Sequence, residues 1–308
     1  MQIARLRKEN ASALLELWNG VATHDSVTAQ IFAEKIWGDA DFDEELALVA
    51  FEADEPEADE PVAFAHAVVR QLATGSRGYF KFVAVAPQYQ RQGIGRQLVE
   101  QLHQKLMEQG VKEVRIAESA PNYLTPGVDV RYETAIGFFE ALGYERIGEA
   151  KNLLLNLRER DFSTTDRVNE LASTGIEICR ATCKVMPQVN EFLDAFWPSW
   201  KAEVALAMTC NPPAMHLALS KESVVGFSAY DGNNQGTGWF GPMGTHPDFR
   251  GQGIGQVLLA RCLRDLQSQG LSQAIIPWVS ETSLYESQLG AVLDRTFVRW
   301  ERKLAWIC

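Results

Sequence analysis

The chain has 308 residues, 46% of them hydrophobic, which is enough for two domains that each bury their own core. Lysine and arginine number 29 against 40 aspartates and glutamates, and the resulting charge of -11 works against binding nucleic acid or an anionic membrane through bulk electrostatics. The opening Met1-Gln2-Ile3-Ala4-Arg5 carries no charged segment leading into an apolar run, and nowhere do 18 apolar residues follow one another, so a cytoplasmic protein is expected.

In chain order, Ile3 to Leu6 reads as a first strand, followed by a helix whose Leu14, Leu17 and Trp18 share a face. Leu46 to Phe51 and Val62 to Val69 read as strands joined by the acidic tip Glu52 to Glu60, a solvated hairpin loop. His66 falls within the second of these, where a histidine is more often a packing residue than a base. Tyr79 to Val85 is an apolar run closed by Pro87, and beyond the glycines Ile94, Leu98, Leu102 and Leu106 recur every four residues as one helical stripe. Gly110 stands where a left-handed cap ends that helix, and Val111 to Ala117 suits a neighbouring buried strand, so strand, loop, helix and strand form a parallel crossover. Between Tyr123 and Asp129, Pro126-Gly127 marks a tight turn placed to help form an acceptor site. The polar stretch Arg158 to Gly175 reads as a linker containing a short helix, which divides the chain into domains 1–157 and 175–308 with linker 158–174.

The second half repeats this grammar. Ile176 to Arg180 begins it, followed by a helix with Val189, Phe192, Leu193 and Phe196. Trp239 to Thr245 closes on Pro247; Ile254, Leu258, Cys262 and Leu266 form the stripe; Gly270 caps it; Leu271 to Val279 is the next strand. The segments from Pro87 to Gly95 and from Pro247 to Gly255 align without gaps at an offset of 160, which extends to Leu98 with Leu258 and Gly110 with Gly270. Trp197, Trp200, Trp239 and Trp278 either line a pocket or fill a core, and His24 and His246 fall in loops. The cysteines 179, 183, 210, 262 and 308 lack the paired Cys/His spacing of a zinc site, so reduced thiols and no metal are expected.

A glycine turn between strand and helix presents consecutive backbone N–H groups to an anion, the helix dipole adds positive potential, and glycine lets the main chain approach a pyrophosphate. Arg91, Arg96 and Arg250 are placed to add charge-assisted bonds. No lysine follows either glycine set, which excludes the P-loop, and Leu98 and Leu258 stand where the dinucleotide fingerprint needs its third glycine.

Gln90-x-x-Gly93-x-Gly95 and Arg250-x-x-Gly253-x-Gly255, each between a strand and a helix, resemble the acetyl-CoA signature of the GNAT superfamily. Ala135 to Tyr144 and Leu284 to Ala291 resemble its later helix with a Leu-Gly turn. The resemblance implies two tandem α/β domains, each a splayed, mixed and mostly antiparallel sheet flanked by helices. It also implies acetyl transfer from acetyl-CoA to an amine, most simply a small-molecule amine, by direct attack on the thioester. Expected cofactor contacts are Gln90, Arg91, Gln92, Gly93, Ile94, Gly95 and Arg96 in the first copy. In the second they are Arg250, Gly251, Gln252, Gly253, Ile254, Gly255 and Gln256. Main-chain groups of Val83 and Val85, or of Met243 and Thr245, are expected to hold the pantetheine. Tyr285 matches the family's thiolate-protonating tyrosine, with Phe139 in its place in the first copy, which is either a CoA-binding partner domain or uses another acid such as Tyr132 or Tyr144. Glu118 and Glu281 follow the fifth strands and are candidate bases, with water as the alternative. On these grounds the second copy is expected to be the more competent catalyst. A non-catalytic acyl-CoA-binding protein, or one that acetylates a protein amine, is the alternative.

Overall fold

The computed structural model describes residues 1–52, 60–279 and 283–305. The first half contains β1 (Gln2–Arg5), α1 (Ala11–Val21), α2 (Ala29–Lys35), β2 (Ala47–Phe51), β3 (Pro61–Leu72), β4 (Gly75–Val85), α3 (Ile94–Glu108), β5 (Glu113–Ile116), β6 (Val128–Asp129), α4 (Glu133–Ala141) and β7 (Glu145–Asn156). The second contains α5 (Thr165–Ser173), β8 (Ile176–Arg180), α6 (Met186–Phe196), α7 (Lys201–Ala207), β9 (Met215–Ser220), β10 (Ser223–Tyr230), β11 (Phe240–Thr245), α8 (Ile254–Ser268), β12 (Gln273–Ile276), α9 (Ser283–Leu289) and β13 (Val292–Lys303).

The chain forms two units, Met1–Ala150 together with Thr296–Cys308, and Lys151–Arg295. This differs from the division expected at the polar stretch 158–174, because strand pairing and not linker composition decides membership. The tail of β13 pairs antiparallel with β5 through Glu301–Arg115 and its neighbours, and with β6 through Phe297–Asp129, so the chain's last strand completes the first unit. The end of β7 pairs with β12 from Gln273–Asn156 to Ile276–Leu153 and belongs to the second. Within the stretch expected as linker, α5 buries Leu171 in one cluster with Ile176, Ile178 and Leu258. Part of it is therefore structural.

In the first unit β1 to β4 are antiparallel neighbours, and β4 meets β5 in parallel, as a crossover through α3 requires. The stripe on α3 works as its spacing predicts. Leu98, Leu102 and Leu106 are fully buried against one sheet face, each contributing roughly 1.5–3 kcal/mol of hydrophobic stabilisation. The opposite face carries α1 and α2, with Leu14, Phe32, Phe64 and Phe82 at its centre. Gly110, at φ +78°, ends α3 in the left-handed region.

The second unit repeats the plan: β8, β9, β10 and β11 are antiparallel, Trp239 bridges Ile275 in parallel, and Leu258, Cys262 and Leu266 of α8 are fully buried. Among the described residues no helix is long and apolar enough to cross a membrane.

Candidate active site

Two backbone features of the first unit open a wedge between β4 and β5. The strands pair at Gly78, Tyr79 and Phe80, and Ala117 N–H donates to Phe80 O at 2.8 Å. Beyond that point the β3–β4 register slips by one residue, with Ala67 opposite Phe80 and His66 opposite Phe82, which leaves Lys81 as a bulge. On the other strand Ala117 (φ +56°) and Glu118 (φ +39°) are left-handed and turn the chain away. Ala86 N–H donates to Val62 O on the β3 side, so strand alternation turns the peptide groups of Val83 and Val85 toward the side that β5 has vacated. A cavity of about 830 Å³ fills the wedge, walled by Trp18, Ala22, Ala84, Leu124 and Phe138, with Lys81 also lining it.

The glycine loop borders this cavity. Gly93 is the left-handed N-cap of α3 (φ 84°), no side chain caps that helix, and nothing stands within 4 Å of where a Cβ on Gly93 would be. The first N–H groups of α3 are thus open to an anion, with the helix dipole behind them. Gln90 explains the first position of the signature: its Nε2 donates to Val85 O at 3.0 Å and ties the loop to the strand end. At Gly95 a Cβ would lie 3.2 Å from Val85 and 3.5 Å from Phe138, so glycine there sets a close helix-to-strand approach. The residues present fit an acyl-CoA: a glycine cradle for the pyrophosphate and, for the pantetheine, a wedge along β4 past its last pairing with β5.

Buried charges lie on the α2 side of the bulge. Asp39 accepts from Arg70 through two bonds of 2.6 Å and also from Lys81. Burial alone would raise the Asp39 carboxyl, but the bonds from Arg70 and the charge of Lys81 outweigh it and hold Asp39 well below the usual carboxylate range. Burial also pushes Lys81 down to about 7 against the pull of Asp39, and His66 down to about 3. Neither ring nitrogen of His66 has a hydrogen-bond partner.

Of the residues expected to act in the first unit, Val83, Val85, Gln90, Arg91, Gly93, Ile94, Gly95 and Arg96 all line the cavity. Gln92 instead turns its side chain back to Gln88 O at 3.0 Å. Glu118 is buried, with its Oε1 accepting from Arg115 at 2.8 Å and its Oε2 from Arg299 at 2.6 Å, and is not among the cavity residues. Phe139 lines the cavity wall. Of the two alternative acids, Tyr144 lies in the core against His103 Nε2 at 2.8 Å, and burial raises it further. Tyr132 lines the cavity at the start of α4, and its hydroxyl accepts from His24 N–H at 2.8 Å.

The second unit keeps the loop but surrounds it differently. Gly253 is again a left-handed N-cap (φ 81°), and Arg250 Nε donates to Thr245 O at 3.3 Å, reproducing the tie made by Gln90. A Cβ on Gly253, however, would overlap the Arg167 guanidinium, which also donates to Gln252 O at 3.4 Å. Trp197 lies on Gly244 so closely that a Cβ there would fall 2.5–2.9 Å from three indole atoms, and Gly244 is the repeat counterpart of the cavity-wall residue Ala84. Trp197 stacks with Trp200 at 5.2 Å, so both tryptophans pack against the core. Met243 packs against the same core, Gln256 Nε2 donates to Gln288 Oε1 at 2.7 Å, and Gly251 is exposed and left-handed. Ile254 is a buried core residue, and a Cβ on Gly255 would lie 3.6 Å from Thr245 Oγ1. Tyr285 is packed against the core on α9 and burial raises its hydroxyl, while Glu281 lies outside the described residues. The Nδ1 of His246 accepts from Asp248 N–H at 3.2 Å, a capping role.

Sequence reasoning did not single out Lys81, Asp39 or Arg70. They are far apart in the chain and form no motif; a lysine inside an apolar strand run was the one available signal.

Residues 43–146 match the model of the acetyltransferase (GNAT) domain, and residues 186–290 match that of the acetyltransferase (GNAT) family. No curated protein matches the chain. Among solved structures, 98% of the chain aligns at TM-score 0.81 and 16% identity with a fungal multi-domain GH3 β-N-acetylglucosaminidase described as having a GCN5-related glucosamine N-acetyltransferase region; the chain spans 38% of that protein. A GCN5-related N-acetyltransferase from Sphaerobacter thermophilus aligns at TM-score 0.68 and 16% identity over 98% of this chain and 95% of its own. A tandem GNAT protein from the clavulanic acid biosynthesis pathway aligns at TM-score 0.69 and 14% identity over 100% of this chain and 99% of its own.

Proposed function

Because the chain belongs to the GNAT acetyltransferase family, with one domain in each half, we propose that it transfers acetyl from acetyl-CoA to a small-molecule amine, and that its first unit does so. The observation that carries this reading is the open wedge of the first unit: a cavity of about 830 Å³ bordered by an uncapped helix start and by β4 past its pairing with β5. The Gly93 cradle holds the pyrophosphate, and the main chain of Val83 and Val85 orients the pantetheine and the thioester carbonyl. Tyr132 protonates the departing thiolate. It stands at the cavity in a unit whose α4 offers Phe139, and the bond from His24 N–H fixes its hydroxyl oxygen.

The test is thiol release from acetyl-CoA with spermidine and with glucosamine, the amine named for the fungal neighbour's region, as first probes. Amine-dependent release is expected, and Tyr132→Phe should lower kcat by about a hundredfold with acetyl-CoA affinity nearly unchanged. If acetyl-CoA binds and no amine releases thiol, the protein is an acyl-CoA-binding module. If Tyr285→Phe and not Tyr132→Phe stops turnover, the second unit is the catalyst.

A further inference from the structure

Aminolysis of a thioester needs a neutral amine, yet alkylamines are ammonium ions near pH 7, so a group near the wedge must take a proton. Glu118 is committed to Arg115 and Arg299 and does not line the cavity; of the carboxylates that do, Asp129 is held by Arg131 at 2.8 and 2.6 Å, and Asp25 and Glu133 stand away from the bulge in sequence, at the α1 and α4 ends of the wall. We propose that Lys81 is the proton acceptor of the first unit, with Asp39 and Arg70 as the residues that position it. The proposal rests on reading that unit as the acetyl-transferring one.

Geometry comes first. Lys81 is the bulged residue of β4, two positions before Val83, and lines the cavity at the point where the strands part. A regular strand would place this residue within the ladder; the bulge re-aims it. Its ammonium donates to Oδ2 of Asp39, and Arg70 grips both oxygens of that carboxylate. The arrangement has the logic of a base oriented by a carboxylate that a third group holds still.

Charge counting identifies the mobile proton. The side chains of Asp39, Arg70 and Lys81 are at most 5% exposed, so Asp39 is the buried carboxylate that two cations share, with the half-exposed Asp41 pairing Arg70 from its outer side. Arginine does not release its proton in proteins, which leaves the buried lysine as the cation of the cluster able to give one up. The remaining neighbours do not reverse this. From β3, His66 is held neutral by burial; from α2, Lys35 adds repulsion and is paired with Glu34 at 2.6 Å; Asp41, half exposed, accepts from Arg70 at 2.7 Å. Burial sets Lys81 at about 7, where a base serves best at neutral pH. The second unit has Gly241 at the repeat counterpart of Lys81, so this device belongs to the first unit alone.

The protons balance as follows. Neutral Lys81 takes one proton from the acceptor ammonium, and the freed amine attacks the thioester carbonyl. The C–S bond breaks as the C–N bond forms, and the thiolate takes the proton of Tyr132. The nitrogen's remaining surplus proton restores Tyr132, and Lys81 returns its own to solvent, for a net release of one proton.

The experiment compares the whole chain with two probe amines and acetyl-CoA: spermidine, which is protonated near pH 7, and hydroxylamine, which is largely neutral there. Lys81→Met should lower the ratio of spermidine to hydroxylamine transfer by about a hundredfold, the size expected for losing a general base. Lys81→Arg, which keeps the charge and cannot accept the proton, should do the same. In the wild type, kcat/KM for spermidine should bend near pH 7, and Asp39→Asn should move the bend to lower pH, which a merely structural role would not. An unchanged ratio in both lysine variants, with transfer intact, overturns the assignment of Lys81 alone. Absence of wild-type transfer to both amines overturns the transferase reading and the assignment with it.

Discussion

At the end of α1 the first unit has Ala22, and at the end of α6 the second has Trp197; both are C-caps of eleven-residue helices. Ala22 walls a cavity, whereas Trp197 lies on Gly244, the counterpart of cavity-wall Ala84. A second contrast lies at the loops: nothing stands within 4 Å of a Cβ built on Gly93, whereas the half-exposed Arg167 guanidinium reaches the same place at Gly253. The signature glycines are the same in both copies, and the first of each, Gly93 and Gly253, is left-handed. The two copies therefore share the loop motif and differ in the residues around it, and we propose that those residues set how much room a ligand has. Arg250, the intact glycines and Tyr285 point to the second copy as the better catalyst, whereas the cavity of about 830 Å³ lies in the first unit.

The strongest way to break this comparison is to exchange the caps. Ala22→Trp should fill the first wedge and weaken acetyl-CoA binding at least about a hundredfold, about 2.7 kcal/mol, by calorimetry. Trp197→Ala in the second unit should cost about 3–5 kcal/mol in denaturant unfolding, the usual loss for a packed tryptophan; a packing role for Trp197 is refuted if stability is unchanged. Acid sensitivity sharpens the contrast further. The His66 imidazole titrates near 3 when folded against about 6.5 when unfolded, so as pH falls below about 6.5 the unfolded chain takes the proton first. Stability should fall toward pH 3 by up to about 1.4 kcal/mol per pH unit from this group, and His66→Phe should flatten that part of the slope in unfolding titrations. The smallest effect expected is from Gln90→Ala, which removes the tie to Val85 O; about 0.5–1.5 kcal/mol of stability should go, with a modest loss of acetyl-CoA affinity.

Much of this was legible in the sequence because it is local. Period-four stripes gave α3 and α8, proline and glycine bounded the strands, and the ungapped repeat placed both loops. What was not legible depends on distant pairing. The return of β13 to β5, and the membership of the α5 segment, follow from strand partners that no local composition signals. Glu118 looked like an available base, yet Arg115 three residues before it and Arg299 from the far end of the chain occupy it. Asp39, Arg70 and Lys81 meet only because β3, β4 and the turn after α2 converge, and the bulge at Lys81 leaves no mark on apolar periodicity.

The most direct test of the central claim is a calorimetric titration of acetyl-CoA into the intact chain and its Gly93→Glu variant, in which a left-handed glycine (φ 84°) is replaced by an anionic side chain. One site per chain in the wild type, lost in the variant, is the predicted result. Two sites, or a single site that survives Gly93→Glu, would contradict it by showing that the second unit admits the ligand past Trp197 and Arg167.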